Sequence, residues 1–351
     1  MIKDFLSSNE TIFMNDVALS YDFIPKEVEH RENENHYIAE CIKPLFNNRN
    51  GKNVFIYGSP GIGKTLAVKS VFLELEENTD EISSFYINCW KNNTTHKVII
   101  EICNLINYKF TADKSTNELI NDLKKILNKK PIIICLDEAD KLENNDILYF
   151  ILEDLYKKTL ILITNERSWL DELDKRVRSR LYAELLNFKE YNYEETLDIL
   201  TKRAEYAFYN NVINKNLMEK ITEKSYELRD IRSGIYLLKE SGNLAESRSS
   251  KIINEDDVDN AVKKLNEFKI RSSNDISKDK NELLELIKNN SGMAANELFK
   301  MYNKDISYRT FRRRIDDLAN SKLISIENKQ KGDKSNVSYV YFGITRGLNE
   351  F

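Results

Sequence analysis

One eight-residue segment, GSPGIGKT at residues 58–65, restricts the possible folds of this chain more than any other feature. It matches the pattern G-x-x-x-x-G-K-[ST], in which glycines let the backbone curl around a phosphate with its N–H groups pointing inward. A short apolar run at 54–57 precedes it, and a helical pattern at 66–76 follows it. Because a helix N-terminus attracts anions, this order predicts a phosphate-binding loop rather than an accidental glycine-rich turn.

The residue types within this loop predict a nucleotide site. The Lys64 ammonium can reach the β- and γ-phosphates, and the Thr65 hydroxyl can bind Mg²⁺. The residues that we expect to contact the nucleotide here are Gly58, Ser59, Pro60, Gly61, Ile62, Gly63, Lys64, Thr65 and Leu66. The cofactors expected from this segment are therefore ATP or ADP together with Mg²⁺.

Length and composition limit the kinds of protein that this chain can be. With 351 residues, 41% of them hydrophobic, it is long enough for two or three domains with apolar cores. The sequence has no apolar run of about 18 residues and no cationic and apolar start, so we expect neither a membrane span nor a secretory signal. Four cysteines without a C-x-x-C pair indicate buried thiols of a reducing cytoplasm. The presence of only three histidines argues against a histidine-rich metal site or a serine-hydrolase mechanism.

Charge is unevenly distributed along the chain. The formal net charge is −4, but residues 278–351 contain 14 Lys and Arg against 10 Asp and Glu, a net charge of +4. The remaining residues contain 39 basic against 47 acidic side chains and carry −8. A basic C-terminal segment on an acidic body is a reason to examine that segment for nucleic-acid binding.

The pattern of strands and helices predicts an α/β fold followed by smaller domains. Apolar strands at 54–57, 84–88, 132–136 and 160–164 alternate with helical segments at 32–46, 66–76, 95–108, 116–127 and 144–157. This alternation predicts a parallel sheet covered on both faces. The predicted domains are an α/β base with an N-terminal arm at 1–188, an all-α lid at 189–270, a polar linker at 271–280 and a compact domain at 281–351.

Two adjacent acids follow the apolar strand IIICL. A carboxylate at the C-terminal end of such a strand can hold Mg²⁺ through water beside the phosphate loop, and the next carboxylate can polarise the attacking water. We therefore assign Asp137 to the metal and Glu138 to the general base. Alone, such a pair is often a helix cap, but its position 73 residues after Lys64 within the alternating pattern favours the catalytic interpretation.

Further polar residues are candidates for contacts with the γ-phosphate. Asn165 ends the fourth apolar strand, where an amide can orient water, although an asparagine there is also typical of a turn. In the segment RVRSR, Arg180 is our candidate for an arginine acting on the nucleotide of a neighbouring subunit, with Arg176 second; a salt-bridged turn is the alternative. Arg232, at the start of a lid helix, can reach the phosphates of its own subunit.

The motifs GSPGIGKT, IIICLDE, LILITN, RVRSRL and RDIRSGIYLL, in this order, resemble those of an AAA+ ATPase. More narrowly, the chain is similar to the archaeal replication initiators of the origin-recognition and cell-division-control type. The stretch FIPKEVEHRE at 23–32 resembles the arm of that family on the adenine side, which implies nucleotide contacts by Pro25, His30 and Arg31. Tyr191 and Arg203 match nucleotide-contacting positions at the junction of base and lid.

The chain departs from that family at two places. Where the family usually has Gly-Asp-x-Arg, this chain has Arg229-Asp-Ile-Arg232, which affects the expected entry of the chain into the lid helix. The C-terminal domain is also short for the family. The resemblance nevertheless extends over nearly the whole chain.

The C-terminal domain has the pattern of a winged helix. Helical segments at 281–289, 294–302 and 308–321 precede strands at 323–327 and 337–342. On the third helix Phe311, Ile315 and Leu318 share one face, as core residues do. Its basic residues Arg309, Arg312 and Arg313 share another face.

We predict that this basic face enters a DNA major groove, where guanidinium groups read guanine or clamp phosphates. Lys329, Lys331 and Lys334 would meet the backbone or the minor groove from the wing. The alternatives are a merely solvated helix face or a winged helix that binds protein. The resemblance also implies a DNA-contacting insertion within 90–108, with Lys91 and Lys97 as candidates, although an ordinary cover helix would give the same pattern.

The resemblance implies that the chain binds a replication origin and helps to load the replicative helicase. ATP would act as a conformational switch with slow hydrolysis. The implied partners are double-stranded origin DNA, the replicative minichromosome maintenance helicase and other initiator paralogues, in the cytoplasm at the nucleoid and away from membranes. The alternatives are a clamp-loader or transposition-type AAA+ enzyme, a P-loop signalling or defence ATPase, and a DNA-binding regulator that retains nucleotide without hydrolysing it.

Overall fold

The computed structural model describes residues 11–274, 278–302, 306–320, 324–330 and 336–342. The chain divides into two compact units, Met1–Val262 and Lys263–Phe351. The α-helices of the first unit are α1 (Glu32–Ile42), α2 (Lys64–Asn78), α3 (Thr95–Leu105), α4 (Thr116–Leu127), α5 (Asp146–Asp154), α6 (Trp169–Glu172), α7 (Lys175–Leu181), α8 (Tyr193–Ala207), α9 (Lys215–Glu227) and α10 (Ile231–Ser247). Helix α11 (Glu255–Asn274) begins in the first unit and ends in the second.

A five-stranded parallel sheet forms the base of the first unit. Its strands are β1 (Val54–Tyr57), β2 (Ser83–Asn88), β3 (Ile132–Asp137), β4 (Lys158–Ile163) and β5 (Glu184–Asn187). Their order in the sheet is β2-β3-β4-β1-β5. Strands β1 and β3 both neighbour β4, so the loop after β1 and the acids at the end of β3 meet at one edge of the sheet. The predicted α/β class and parallel sheet are confirmed.

The sheet is buried on both faces because successive residues of its central strand enter different cores. Ile132, Ile134 and Leu136 pack with apolar residues of α3, α4 and α5. Ile133 and Cys135 pack on the other face with residues of α1 and α2. All four cysteines are buried and free, as expected from their spacing. Among the described residues, none of the helices has the length and apolarity needed to cross a membrane.

The sequence pattern missed strand β5. This strand has only four residues, ELLN, and its side chains alternate between half-buried and exposed because it lies at the edge of the sheet. A segment so short and so little buried has no strong hydrophobic signal of its own.

Helices α8, α9 and α10 pack together as the all-α lid. The N-terminal arm packs along this lid. Met14 N donates to Ala207 O at 2.8 Å, and the ring centroids of Phe13 and Phe208 lie 5.0 Å apart. At the other end, residues 271–274 belong to helix α11 and residues 278–280 belong to the next helix, so most of the predicted polar linker is helical. The polar side chains of that stretch are compatible with a solvated helix as well as with a loop, and the domain boundaries themselves stay predictions.

The second unit has the arrangement of a winged helix. Its helices are α12 (Lys278–Asn289), α13 (Ala295–Tyr302) and α14 (Tyr308–Asn320), and its antiparallel strands are β6 (Met293–Ala294), β7 (Ile324–Gln330) and β8 (Asn336–Phe342), in the order β6-β8-β7. Phe311, Ile315 and Leu318 are buried in its core, which confirms the predicted apolar face of α14. The Ser307 hydroxyl accepts a hydrogen bond from Thr310 N and caps this helix.

Candidate nucleotide-binding site

The loop between β1 and α2 adopts backbone conformations that glycine alone adopts easily. Gly58, Gly61 and Gly63 have φ values of 147°, 77° and 88°. A side chain at Gly61 would also clash with the lid, because its Cβ would lie 2.1 Å from the Asp230 carboxylate. The glycines therefore serve both the curvature of the loop and its close approach to the lid.

Lys64 is buried at the start of α2 and turns its ammonium back over the loop. It donates to Gly58 O at 2.7 Å, to Ser59 O at 2.8 Å and to the Asn165 side-chain oxygen at 3.0 Å. Burial lowers the pKa of Lys64 to about 8, against the opposing effect of the nearby Asp137 charge. Loss of water around this cation makes an anionic ligand at the loop electrostatically favourable.

Asp137 at the end of β3 is 3% exposed and accepts hydrogen bonds on both carboxylate oxygens. Its Oδ2 accepts from the Thr65 hydroxyl at 2.7 Å and from the Tyr86 hydroxyl at 2.6 Å, and its Oδ1 accepts from Glu138 N at 2.9 Å. No group of three His, Cys, Asp or Glu side chains suited to a metal occurs among the described residues. A cation here would rely on Thr65, Asp137 and the phosphates, as Mg²⁺ commonly does.

Glu138 has a left-handed backbone conformation, with φ of 54°. This conformation is uncommon for a residue with a side chain and is found at functional sites more often than elsewhere. Partial burial, then the charges of Asp137 and Asp140, raise the pKa of the Glu138 carboxyl. The acid is thus more basic than an exposed glutamate.

One cavity of about 270 Å³ brings together predicted residues from five separate segments of the first unit. It is lined by Pro60, Gly61, Gly63, Lys64, Thr65, Leu66, Asp137, Glu138, Asn165, Arg203 and Arg232. Tyr21 and Lys69 also line this cavity, although neither belongs to a motif that would have identified it from the sequence.

A second, narrower cavity of about 50 Å³ shares Gly63, Leu66 and Arg203 with the first. Its lining is mostly apolar and includes two further predicted residues, Pro25 and Tyr191. Pockets of this type suit a flat ring system better than a charged group. The two cavities together offer one polar and one apolar compartment around the start of α2.

Arg31 is 4% exposed and bonds to the backbone that shapes the loop. Its guanidinium donates to Ile62 O at 3.0 Å and to Lys189 O at 2.7 Å, and it lies 4.0 Å from the ring centroid of Tyr191. His30 makes a 2.9 Å contact between its Nε2 and Asp198 Oδ2 on α8. Both side chains already contact other residues of this chain, so the nucleotide contacts expected of them stay predictions.

Arg203 joins the lid to the arm. It donates to Ala18 O at 3.0 Å and to Phe23 O at 3.2 Å, and its guanidinium lies 4.9 Å from the Phe23 ring centroid. Burial lowers the pKa of Arg203, although a guanidinium stays protonated in the physiological range.

Arg232 lies at the first turn of α10 and forms a fork with Asp230. Its Nε and Nη2 donate to the two carboxylate oxygens, each at 3.0 Å, and the hydrogen bond raises the pKa of Arg232. The helix start is tied directly to the phosphate loop, because Ile231 N donates to Gly61 O at 3.3 Å. The lid therefore touches the loop through both a side chain and the backbone.

Arg229, at the position where the resembling family usually has glycine, adopts the left-handed conformation, with φ of 51°. The Arg229 guanidinium lies 3.3 Å from Glu190 Oε2, and Glu190 Oε1 accepts from the Ser59 hydroxyl at 3.0 Å. In this chain an arginine thus adopts, just before α10, a conformation that glycine adopts more easily.

Arg180 lies on α7, where it pairs with Glu153 and packs over the Tyr149 ring at 5.5 Å. Arg176 lies in the first turn of the same helix, and its backbone N–H donates to the Asp174 side chain at 2.7 Å. Both arginines are exposed. Their action on a neighbouring subunit stays a prediction.

The basic face of α14 is described in part. Arg312 is half-buried and Arg313 is exposed, whereas Arg314 donates to the Tyr302 hydroxyl at 2.9 Å. The side chains of Arg309 and Lys329, and the whole of Lys331 and Lys334, lie outside the described residues. Contact of any of these side chains with DNA stays a prediction.

Two family models match the first unit. Residues 48–167 match an AAA domain, and residues 197–263 match a Cdc6 AAA+ ATPase-type lid domain. These ranges contain the phosphate loop, Asp137, Glu138, Asn165, Arg203 and Arg232. The nucleotide-binding character of the site is therefore established by family as well as by geometry.

Several archaeal replication proteins are similar to this chain. ORC1-type DNA replication protein 2 of Methanothermobacter thermautotrophicus is 28% identical over 95% of this chain and 93% of its own length. ORC1-type DNA replication protein 1 of Sulfurisphaera tokodaii is 33% identical over 70% of this chain and 66% of its own length. The solved structure of the Aeropyrum pernix ORC1 protein in complex with DNA shares the fold, with a TM-score of 0.75, 23% identity, and coverage of 96% of this chain and 95% of that one.

The low pKa of Lys64 makes nucleotide affinity depend on pH. Bound phosphate favours the ammonium form, so binding takes up a proton at pH values above the pKa of about 8 in the free protein. We expect ADP affinity, measured calorimetrically without divalent cations, to be about tenfold lower near pH 9 than near pH 7. A Lys64→Arg variant, which stays charged throughout, should lack this dependence. Equal affinity of the unmodified protein at both pH values would contradict the argument.

Proposed function

Because this chain belongs to the archaeal family of origin-recognition and Cdc6-type AAA+ initiators, we propose that it binds replication-origin DNA and helps to load the replicative helicase, with ATP as a conformational switch. The chain is an AAA+ ATPase. The observation that carries the proposal is the larger of the two cavities, the polar one. Base and lid both line it, and in it Lys64, Asp137 and Glu138 of the base face Arg232 of the lid. A ligand that fills this cavity contacts both domains and so favours one angle between them.

The residues present fit a magnesium nucleotide. The Thr65 hydroxyl directs its proton to Asp137, which leaves its oxygen lone pairs free for a cation. We assign Thr65 and Asp137 to hold Mg²⁺, which when bound neutralises phosphate charge and polarises the phosphoryl oxygens. Lys64 binds the β- and γ-phosphates in place of the carbonyl and amide oxygens to which it now donates.

Hydrolysis needs a base, a water-orienting group and cations at the γ-phosphate. We assign the base to Glu138, whose raised pKa suits proton abstraction from water. Asn165 orients that water, Arg232 contacts the γ-phosphate of its own subunit, and Arg180 acts on the nucleotide of a neighbour. For this last role Arg180 has to exchange Glu153 for phosphate, which is consistent with slow turnover.

The apolar cavity is the proposed site of adenine. Pro25, Leu66 and Tyr191 supply its walls, and Arg203 lies between it and the polar cavity. Arg203 also donates to two backbone carbonyls of the arm. A bound nucleotide therefore affects the position of the arm as well as that of the lid. Arg31 acts on the nucleotide through the loop backbone that it holds, and His30 acts by tying the arm to α8.

The proposed DNA reader is the basic face of helix α14. An exposed arginine beside a buried apolar face is the arrangement that lets a helix keep its core while entering a major groove. The related Aeropyrum pernix protein was solved in complex with DNA, which supports the proposal for this chain. We further propose that the minichromosome maintenance helicase and initiator paralogues are its partners, at the nucleoid in the cytoplasm.

The role of Glu138 is tested by replacing it with glutamine. Glu138→Gln keeps the size and the hydrogen-bonding capacity of the side chain but removes its basicity, so ATP hydrolysis should fall by at least about 100-fold. Nucleotide affinity should change little. Phosphate release and ATP binding are measured on the same preparation, with Glu143→Gln, an exposed acid beyond the site, as the control. Undiminished hydrolysis would refute the assignment.

The proposed DNA interaction is tested by replacing Arg312 and Arg313 together with alanine. For each DNA phosphate that an arginine no longer neutralises, the slope of log affinity against log salt should become shallower by about 0.9, and affinity for duplex DNA should fall at least about tenfold. ATP binding should be unaffected. The matched control is Lys124→Ala with Lys125→Ala, which removes two charges from helix α4 of the base. If both double variants bind DNA like the unmodified protein, helix α14 is not the reader.

A further inference from the structure

Tyr86 contacts Asp137 of the nucleotide site, although no sequence motif identified it. It lies on β2, two residues before Asn88, which pairs with Asp137 across the sheet. Its hydroxyl donates to Asp137 Oδ2 at 2.6 Å. Its ring lies beneath the Lys69 ammonium, 4.5 Å from the ring centroid, and Lys69 lines the same polar cavity. Tyr86 is thus fixed by both its ring and its hydroxyl.

The Asp137 carboxylate is held by three donors, which come from α2, from β2 and from the backbone of the next residue. Thr65 on α2 and Tyr86 on β2 share Oδ2, and the Glu138 backbone N–H occupies Oδ1. Thr65 lines the cavity and would also serve the cation, since its proton is directed to Asp137 and its oxygen lone pairs are free. Tyr86 is not among the residues that line this cavity, so its hydroxyl serves the carboxylate alone.

We propose that Tyr86 is a positioning residue for magnesium: its hydroxyl holds Asp137 in the orientation in which the carboxylate binds the hydrated ion. The inference rests on the proposed ATPase function. Groups that hydrogen-bond a metal-binding side chain commonly contribute about 10–100-fold to metal affinity. Because Tyr86 contacts Asp137 rather than the phosphate loop, its effect is confined to the metal-dependent part of nucleotide binding.

The variant Tyr86→Phe removes only the hydroxyl and keeps the ring beneath Lys69. Affinity for a fluorescent ADP analogue is measured in EDTA, and the analogue-bound protein is then titrated with MgCl₂. Affinity in EDTA should stay within about twofold of the unmodified protein, while the midpoint of the MgCl₂ titration rises about tenfold or more. A purely structural role of the tyrosine would lower both affinities together.

Tyr37→Phe is the matched control. Its hydroxyl also donates to a carboxylate, Glu184 Oε2, at 3.1 Å, but outside the nucleotide site. This variant should leave both affinities unchanged. Thermal melting of the two variants measures any general loss of stability that accompanies removal of a tyrosine hydroxyl.

The outcomes separate the inference from the proposed function. If MgCl₂ does not change ADP affinity in the unmodified protein, the proposed magnesium site fails, and the role of Tyr86 fails with it. If the unmodified protein responds and Tyr86→Phe has the same midpoint, the role of Tyr86 alone is overturned. An equal loss of affinity in EDTA and in MgCl₂ also overturns it, because the hydroxyl would then support the whole site.

Discussion

The structure of the nucleotide site depends on one carboxylate, Asp230, at the point where the lid meets the phosphate loop. Asp230 caps helix α10 through the Arg232 N–H at 2.9 Å and forks with the Arg232 guanidinium. It also occupies the space that a side chain at Gly61 would need. The loop can therefore bind phosphate and touch the lid at once only because Gly61 has no side chain, and movement of the lid is linked to the loop at this contact.

Around this contact two cations, the buried Lys64 and the exposed Arg232, donate to oxygen atoms that a nucleotide can replace. Lys64 donates to loop carbonyls and to Asn165, and Arg232 donates to the Asp230 carboxylate. A triphosphate offers Lys64 a stronger partner than these neutral oxygens do, and it offers Arg232 a second anion. Binding energy can thus be converted into a changed angle between base and lid, which is what a switch requires, and rapid hydrolysis is not needed for it.

Much of this site could be predicted from the sequence because its key residues lie in short, ordered motifs with fixed chemistry. The phosphate loop, Asp137 and Asn165 each follow an apolar strand, and parallel strands bring such positions to one edge. Tyr86 and Tyr21 could not be predicted, because neither lies in a recognisable motif. Tyr86 reaches Asp137 only through the pairing register of β2 with β3, and Tyr21 reaches the cavity only through the path of the arm. Strand β5 was missed for a different reason: an exposed edge strand of four residues has little apolar pattern. The linker was predicted from polarity alone, and polarity does not distinguish a loop from a helix such as α11, which extends to Asn274.

If ATP acts as a switch, the γ-phosphate must change the contact between the phosphate loop and the start of α10. Amide hydrogen exchange at residues 229–235 measures this contact directly in the free protein, with ADP and with a non-hydrolysable ATP analogue. We expect progressively slower exchange from the free protein to ADP to the ATP analogue, with the last step abolished in Arg232→Ala. Identical exchange of this segment with ADP and with the ATP analogue would show that the γ-phosphate has no effect at this contact.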